Sequence, residues 1–552
     1  MLIKGFRIKA IFLISFLFIL WMLAFGRLFY LQIIQSRNIG RKSKAEQMRY
    51  LETEARRGEI LDRNGKVLAT DLKLFTLYAE KALITDIKET ASKLAEFGLG
   101  SATNLEILLQ NESELIRVTR GVSDSIVREL NLEGVYAVRE WFRYYLSGRV
   151  GRTVIGSLNW ERKGMSGIER EYNEFLSGSN GWAHYLEVPM YSGIKLLKRY
   201  EEDYKDPVPG KDIYLTIDLD IQYIMANELH KLKEDTHADQ VFGLCVDVKT
   251  GEILAMVNIP EYIPDEGWRS NGCIAWQFEP GSIFKLIPAF AWIKAGYSLT
   301  DTVVDSTGST DFGGKVFKDP HPHHAYSFRD ALIYSSNSAF VNIGKRVGKR
   351  ELYRCARFFG IGCNTGVDLP VEYSGNLPIL ERMRDIRLAT VSFGQGVNTT
   401  PLQIVMAYQA IANDGVLLRP RVMKEIRNKD KRIARSKTEV TRKVGNPKIM
   451  NTLLEIFYDT VEEGTGTLAS LTMLPVAGKT GTAWKYSDGG YKKGEYVSSF
   501  VGMLPYPDPE VVIGIFVDNP KNSYYSSVIV CPAFRKVAQM IVLLKSYRKR
   551  FL

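Results

Sequence analysis

The chain runs to 552 residues, 45% of them apolar, which is enough for two or three domains and excludes a wholly disordered protein. Its formal net charge of +11 is spread along the sequence, and with no basic stripe interleaved with aromatics there is no nucleic-acid partner to expect. Five scattered cysteines, odd in number, give no disulfide framework and read as small apolar residues.

The first element is an apolar run. Ala10 to Phe25 carries no charge, and with Leu28 to Leu31 beyond Arg27 it is long enough to span a bilayer. A signal peptide needs small residues at a cleavage site, which Gly26-Arg27-Leu28-Phe29-Tyr30 does not offer. The expectation is therefore an uncleaved anchor over residues 10–31, in contact with membrane lipid, behind a tail of residues 1–9. Lys4, Arg7 and Lys9 are matched by Arg37, Arg41, Lys42 and Lys44 on the far side, so flanking charge leaves the orientation open.

Gln32 to Glu54 is polar and helix-compatible, and reads as a stalk. Asn64-Gly65 is the turn of a strand–turn–strand unit from Glu59 to Ala69. Helical periodicity follows over Leu83–Phe97, Asn104–Gln110 and Arg170–Leu176, with no catalytic constellation among them. A boundary falls at Pro207-Val208-Pro209-Gly210, so residues 32–209 form a non-catalytic pedestal domain and 210–552 the catalytic one. In the latter, a strand over Asp212–Ile217 and a helix over Asp220–Leu232 precede a hairpin over Val241–Ile259. A mostly helical middle follows, then strands at Lys479–Thr482, Ser498–Met503 and Val511–Val517 and a last helix over Phe534–Leu544. Strands at both ends bracketing helices predict an α+β fold in which early and late strands share a sheet.

Three short motifs carry the chemistry: Ser282-Ile283-Phe284-Lys285, Ser335-Ser336-Asn337 and Lys479-Thr480-Gly481-Thr482. Each pattern has decoys, which context removes. Lys249-Thr250-Gly251 sits between two apolar runs as a hairpin turn. Ser192-Gly193-Ile194-Lys195 lies in a charged stretch, and Ser546-Tyr547-Arg548-Lys549 in a basic tail. Ser36, Ser157 and Ser374 also begin Ser-x-Asn patterns without a setting. Ser282 alone follows Pro280-Gly281 and opens an apolar run, as a nucleophile at a helix start would.

A helix start presents unpaired N–H groups, so the Ser282 N–H can help hold an oxyanion. Lys285 lies one turn on, on the same face. Burial and the neighbouring Lys479 cation would push Lys285 towards the neutral form and make it a base. Ser335 can relay a proton to a leaving amine while Asn337 orients the substrate amide. Lys479 to Thr482 offers an edge strand for an extended peptide. Gly481 would let the substrate backbone approach, Thr480 and Thr482 with Lys479 suit a terminal carboxylate, and the Thr482 N–H completes the oxyanion hole.

In order and context these motifs resemble the class B penicillin-binding proteins, the single-pass peptidoglycan D,D-transpeptidases, and within them the division branch. Arg57-Gly-Glu-Ile-Leu-Asp-Arg-Asn-Gly65, Gly167-Ile-Glu-Arg-Glu-Tyr172 and Leu215-Thr-Ile-Asp218 are similar to the family's pedestal motifs. Phe278-Glu-Pro-Gly-Ser282, Ser392-Phe-Gly-Gln-Gly396 with Thr400-Pro-Leu-Gln403, and Ser499-Phe-Val-Gly502 are similar to its catalytic-domain signatures. The resemblance implies a dimerisation-type pedestal and a catalytic domain with a five-stranded antiparallel sheet flanked by helices. It implies a Ser282 acyl-enzyme formed from D-Ala-D-Ala stem peptides, with β-lactams acylating the same serine. It places the catalytic domain outside the plasma membrane of a bacterium and implies a membrane glycan polymerase and division proteins as partners.

Four departures from the family pattern stand out. Ile283 follows the nucleophile, Tyr524-Tyr-Ser-Ser527 replaces Tyr-Tyr-Gly-Gly, Cys531-Pro-Ala-Phe534 replaces an Ala-Pro version, and Tyr144-Tyr-Leu-Ser-Gly148 lacks an expected proline. No cofactor and no metal is expected: His321-Pro-His323-His324 lacks acidic or cysteine companions. Gly464-Thr-Gly-Thr467 lacks the lysine of a phosphate loop. The competing readings are a side-wall transpeptidase, a carboxypeptidase or β-lactamase ending in water, and a non-enzymatic sensor or scaffold. The last is disfavoured because Lys285, Ser335 and Lys479 are all present.

Overall fold

The computed structural model describes residues 2–551 apart from 36–47, 114, 131, 190–194, 264–266, 269, 306, 320–324, 473 and 488–489. The histidine cluster at 321–324, most of the stalk and Ser192 therefore lie outside the described residues. The chain divides into two compact units: residues 1–56 with 178–209, and residues 57–177 with 210–552.

The first unit contains the helix Leu2–Phe29. Within it and just beyond, Ile8–Ile33 has a mean hydropathy of 2.5 and is not buried. At 1.5 Å per residue its 26 residues reach about 39 Å, more than a bilayer's hydrocarbon core. The same unit holds a three-stranded antiparallel sheet in the order Met48–Thr53, Gly181–Pro189, Lys195–Lys205. The end of the expected helix-compatible stalk is thus a strand, with Met48 opposite Leu186 and Thr53 opposite Gly181. Pairing with a segment distant in sequence overrides local propensity there.

In the second unit a five-stranded antiparallel sheet organises the catalytic region. Its strands are β1 (Gln240–Asp247), β2 (Ile253–Ile259), β3 (Ala477–Ser487), β4 (Gly490–Leu504) and β5 (Val511–Asp518), in the order β2-β1-β5-β4-β3. Side chains alternate between faces along a strand. On β1, Val241 and Cys245 enter one core while Phe242, Leu244 and Val246 enter the other. Helix α1 (Leu219–Thr236) packs on the first face. Helices α2 (Leu286–Lys294), α3 (Asn337–Val347), α4 (Asp385–Ser392) and α5 (Pro401–Ala412) contribute to the second core. Helix α6 (Ser526–Phe551) returns to the first face, where Phe534 meets Phe500 edge-on at 4.7 Å. Its Ser526–Lys545 stretch is apolar enough to cross a membrane, yet 44% of it is buried against the sheet. That helix starts earlier than the sequence reading placed it, with Pro532 inside it. Val530 and Cys531, both fully buried, hold the turns ahead of the expected start.

A seven-stranded sheet runs through the rest of this unit. Ile60–Leu61 pairs in parallel with Asp212–Leu215 and antiparallel with Val67–Glu80. Beside it Leu77, Leu94, Leu105, Leu109 and Ile116 close a separate small core, as the amphipathic segments between residues 83 and 110 imply.

Candidate active site

Ser282 sits in a tight 3-10 turn, Gly281–Lys285, that leads directly into α2. Gly281 has φ +56, and a Cβ there would lie 3.0 Å from Ala483 Cβ, so only glycine lets this turn press on β3. The Gly281 N–H donates to Gly394 O at 2.9 Å, and Tyr408 Oη donates to Ile283 O at 2.9 Å. Ser282 itself stays partly exposed while Ile283, Phe284 and Lys285 are buried. The bulky Ile283 therefore points into the core and leaves the mouth of the site clear.

Lys285 and Lys479 are both fully buried. Lys285 Nζ donates to Ser335 O at 2.6 Å, to Asn337 Oδ1 at 2.8 Å and to Ser335 Oγ at 3.2 Å. Ser335 has φ +63, a left-handed conformation costly for a residue with a side chain. That conformation turns both its carbonyl and its hydroxyl towards the amine. Burial, then the charge of Lys479, hold the Lys285 ammonium well below the ordinary lysine range, against a smaller opposing pull from Asp319. Burial alone pushes Lys479 down to about 7. A neutral Lys285 has two N–H groups for the Ser335 carbonyl and the Asn337 oxygen, which leaves its lone pair for a hydroxyl proton. Among the described residues no hydrogen bond joins Lys285 to Ser282 Oγ, so in the resting site the base is held by the Ser335–Asn337 loop.

Lys479 to Thr482 lie on β3, which ends the sheet and so has one edge free of strand pairing. Thr480 Oγ1 is 2.7 Å from Thr465 Oγ1, and Thr482 Oγ1 is 2.9 Å from Ser526 Oγ. Gly481 also makes room within the protein itself. A Cβ at this position would fall 2.5 Å from Ser499 Oγ and 3.1 Å from Pro280 O. Its missing side chain therefore lets the nucleophile turn and β4 close on β3. The Gly481 carbonyl accepts from Ser526 Oγ, and from Ser499 Oγ at 3.3 Å.

Two residues without a role in the sequence reading hold these parts together. Asp319 caps the start of α3: its carboxylate accepts from the Asn337 N–H at 2.7 Å, the Ser338 N–H at 3.1 Å, and the hydroxyls of Ser336 and Ser338. Glu279 accepts from the Gly396 N–H at 2.9 Å and from Tyr491 Oη at 3.1 Å, and burial raises its pKa. Glu279 stands in the quoted Phe278–Ser282 motif. Asp319 has no signal beyond a turn-prone Asp-Pro pair. The decoy Lys249-Thr250-Gly251 is the β1–β2 turn, with Asp247 Oδ1 accepting from the Lys249 and Thr250 N–H groups at 3.1 and 2.9 Å.

Comparison with known proteins agrees with this geometry. The penicillin-binding protein transpeptidase domain family matches residues 241–539, and the penicillin-binding protein dimerisation domain family matches residues 52–215. Stage V sporulation protein D of Bacillus subtilis is 31% identical, over 94% of this chain and 82% of that protein. The peptidoglycan D,D-transpeptidase FtsI of Buchnera aphidicola is 28% identical, over 96% and 94%. The crystal structure of penicillin-binding protein 3 from Mycobacterium tuberculosis, complexed with aztreonam, superposes with a TM-score of 0.70. It is 26% identical and covers 90% of this chain and 97% of that one. With both domain families matched in sequence over this architecture, the chain belongs to the class B penicillin-binding proteins.

Proposed function

We propose that this protein is a serine D,D-transpeptidase that cross-links peptidoglycan stem peptides through an ester on Ser282. Lys285, buried and short of its proton, takes the proton of Ser282 Oγ as that oxygen attacks the carbonyl of the penultimate D-Ala. The backbone N–H groups of Ser282 and Thr482 hold the oxyanion; losing one such donor costs roughly 3 kcal/mol. Ser335 passes the proton to the departing D-Ala amine as the C–N bond breaks, leaving an acyl-enzyme. An amine on a neighbouring strand then attacks the ester, forms the new amide and returns the proton to Ser282. Asn337 orients the substrate amide, while Lys479, Thr480 and Thr482 hold the terminal carboxylate along the edge of β3, beside Gly481. β-Lactams acylate the same serine.

The observation that carries this reading is the fully buried Lys285, held by the Ser335–Asn337 loop and repelled by the fully buried Lys479, beside a partly exposed serine. Work at the septum, with a membrane glycan polymerase and division proteins as partners, fits Asp368-Leu-Pro-Val-Glu372 and Gly375-Asn-Leu-Pro378. We place residues 1–9 in the cytoplasm, an anchor over residues 10–31, a pedestal over 32–209 and the transpeptidase domain over 210–552, outside the plasma membrane. The test is labelling of the purified full chain with a fluorescent penicillin, read by intact mass. The wild type forms one stable adduct and Ser282→Ala forms none. An adduct that survives in the folded Ser282→Ala variant overturns the assignment.

A further inference from the structure

Beside the catalytic cleft lies a cavity of about 1300 Å³ that none of the roles above uses. Its rim carries six exposed cations: Lys315, Lys345, Lys349, Arg382, Arg384 and Arg387. Only two carboxylates line it. Glu279 is already engaged by Gly396 and Tyr491, and Asp385 stands in the first turn of α4.

Among the described residues none of the six cations forms an ion pair. Their immediate neighbours do. Arg346 pairs with Asp301 at 3.3 Å, whereas the adjacent Lys345 lies over the Phe312 ring at 5.5 Å. Arg354 pairs with Glu351 at 3.6 Å, two residues beyond the unpaired Lys349. Lys294 pairs with the same Glu351 at 2.6 Å. Acidic partners are thus paired on the surrounding surface, while in the groove six cations face two carboxylates, one of them Glu279, which feels the charge of Arg387. A concave surface lined by one sign of charge focuses its field and enriches counter-ions.

The groove also communicates with the reaction centre. Glu279 precedes Ser282 by one turn, Gly396 adjoins the loop that hydrogen-bonds Gly281, and Lys345 shares α3 with Asn337. The volume exceeds what a single small ligand needs, and suits a length of polymer.

We infer that this groove binds the stem peptides of a peptidoglycan strand through their internal carboxylates, so that the favoured substrate is an acidic strand rather than an amidated one. This rests on the transpeptidase reading and adds a second recognition site to it. The terminal carboxylate goes to β3, and the acidic side groups of the same or a neighbouring stem peptide go to the basic groove.

The test uses the full chain in detergent and two probes. One is uncross-linked strands with free internal stem carboxylates; the other is the same strands with those carboxylates amidated and the terminal D-Ala left free. The wild type binds the acidic strands about ten- to a hundredfold more tightly at low salt, and the preference fades as salt rises. The triple variant Lys345→Glu, Lys349→Glu, Arg384→Glu, shown folded by an unchanged thermal midpoint, loses the preference. Equal binding of both strands by the wild type overturns the proposal, as does an unchanged preference in the triple variant. So does displacement of acidic strands by anionic lipid vesicles or a phosphodiester polymer at lower charge concentration. Binding needs no turnover, so a wild type that forms the penicillin adduct yet shows no preference sinks the groove and spares the transpeptidase reading. Absence of the adduct overturns the transpeptidase reading and, with it, this proposal.

Discussion

A lysine serves as a base only when it meets its substrate unprotonated, and Lys285 depends on burial and one neighbour for that. Burial does most of the work and the charge of Lys479 adds to it. The acylation rate should therefore rise with pH well below the ordinary lysine range, as the proton leaves Lys285. Removing the repelling cation in Lys479→Met lets Lys285 hold its proton more tightly, so the rising limb should move to higher pH. The measurement is penicillin acylation against pH for both proteins; a limb that stays put or moves down refutes the coupling. The linkage to stability has a definite sign. Lys479 is depressed to about 7, so between there and the ordinary lysine range the unfolded chain binds more protons. Its contribution to stability rises with pH through that window. Asp319 acts at the same scale but through position. Its four hydrogen bonds fix the Ser335–Asn337 loop that holds Lys285. Asp319→Asn keeps the shape but loses acceptor capacity, and acylation should slow about a hundredfold, as for an ångström-scale misplacement. A rate within twofold of wild type would leave Asp319 a helix cap and nothing more.

At the level of elements, β3 and the start of α6 form one device. Ser526, where the resembled family has glycine, places a hydroxyl between the Gly481 carbonyl and the Thr482 hydroxyl. Ser526→Ala should free the Thr482 hydroxyl for a substrate carboxylate while Ser499 still serves the carbonyl. One neutral hydrogen bond is worth about 0.5–1.5 kcal/mol, so penicillin acylation should speed up roughly two- to tenfold. A slower variant would mean the hydroxyl pair itself positions β3. What the sequence made legible follows the same line. The β1–β2 turn, the edge position of β3 and the buried lysine beside Ser282 rest on neighbours close in sequence or on one motif's own chemistry. The strand at Met48–Thr53 and the reach of Asp319 to Ser336 depend on partners brought near only by folding. The close packing of Ser499, Ile283 and Pro280 on Gly481 was not legible, because these neighbours come from other segments.

Over the whole second unit, stability concentrates charge where water is absent. Arg57 and Glu169 are 2% and 0% exposed and joined at 2.7 Å. Arg143 bonds Glu169 at 2.6 Å and the Gly58 carbonyl at 2.8 Å, while Asp71 accepts from the Arg57 N–H at 2.8 Å. These residues fasten the segment before Ile60–Leu61, whose strand joins the Asp212–Leu215 strand in the seven-stranded sheet. Burial pushes the Arg57 guanidinium down even beside its partner, a sign of how much solvation it has given up. Breaking such a pair on one side strands a charge and costs about 3–5 kcal/mol, whereas removing both charges together costs far less. Glu169→Met should therefore lower the denaturant midpoint sharply. Arg57→Met combined with Glu169→Met should recover part of that loss, because Arg143 also pairs with Asp71, at 3.3 Å. The double-mutant cycle decides it. A double variant as unstable as the sum of the singles would mean the two motifs are held by packing alone. Recovery would show that their charges were matched to each other.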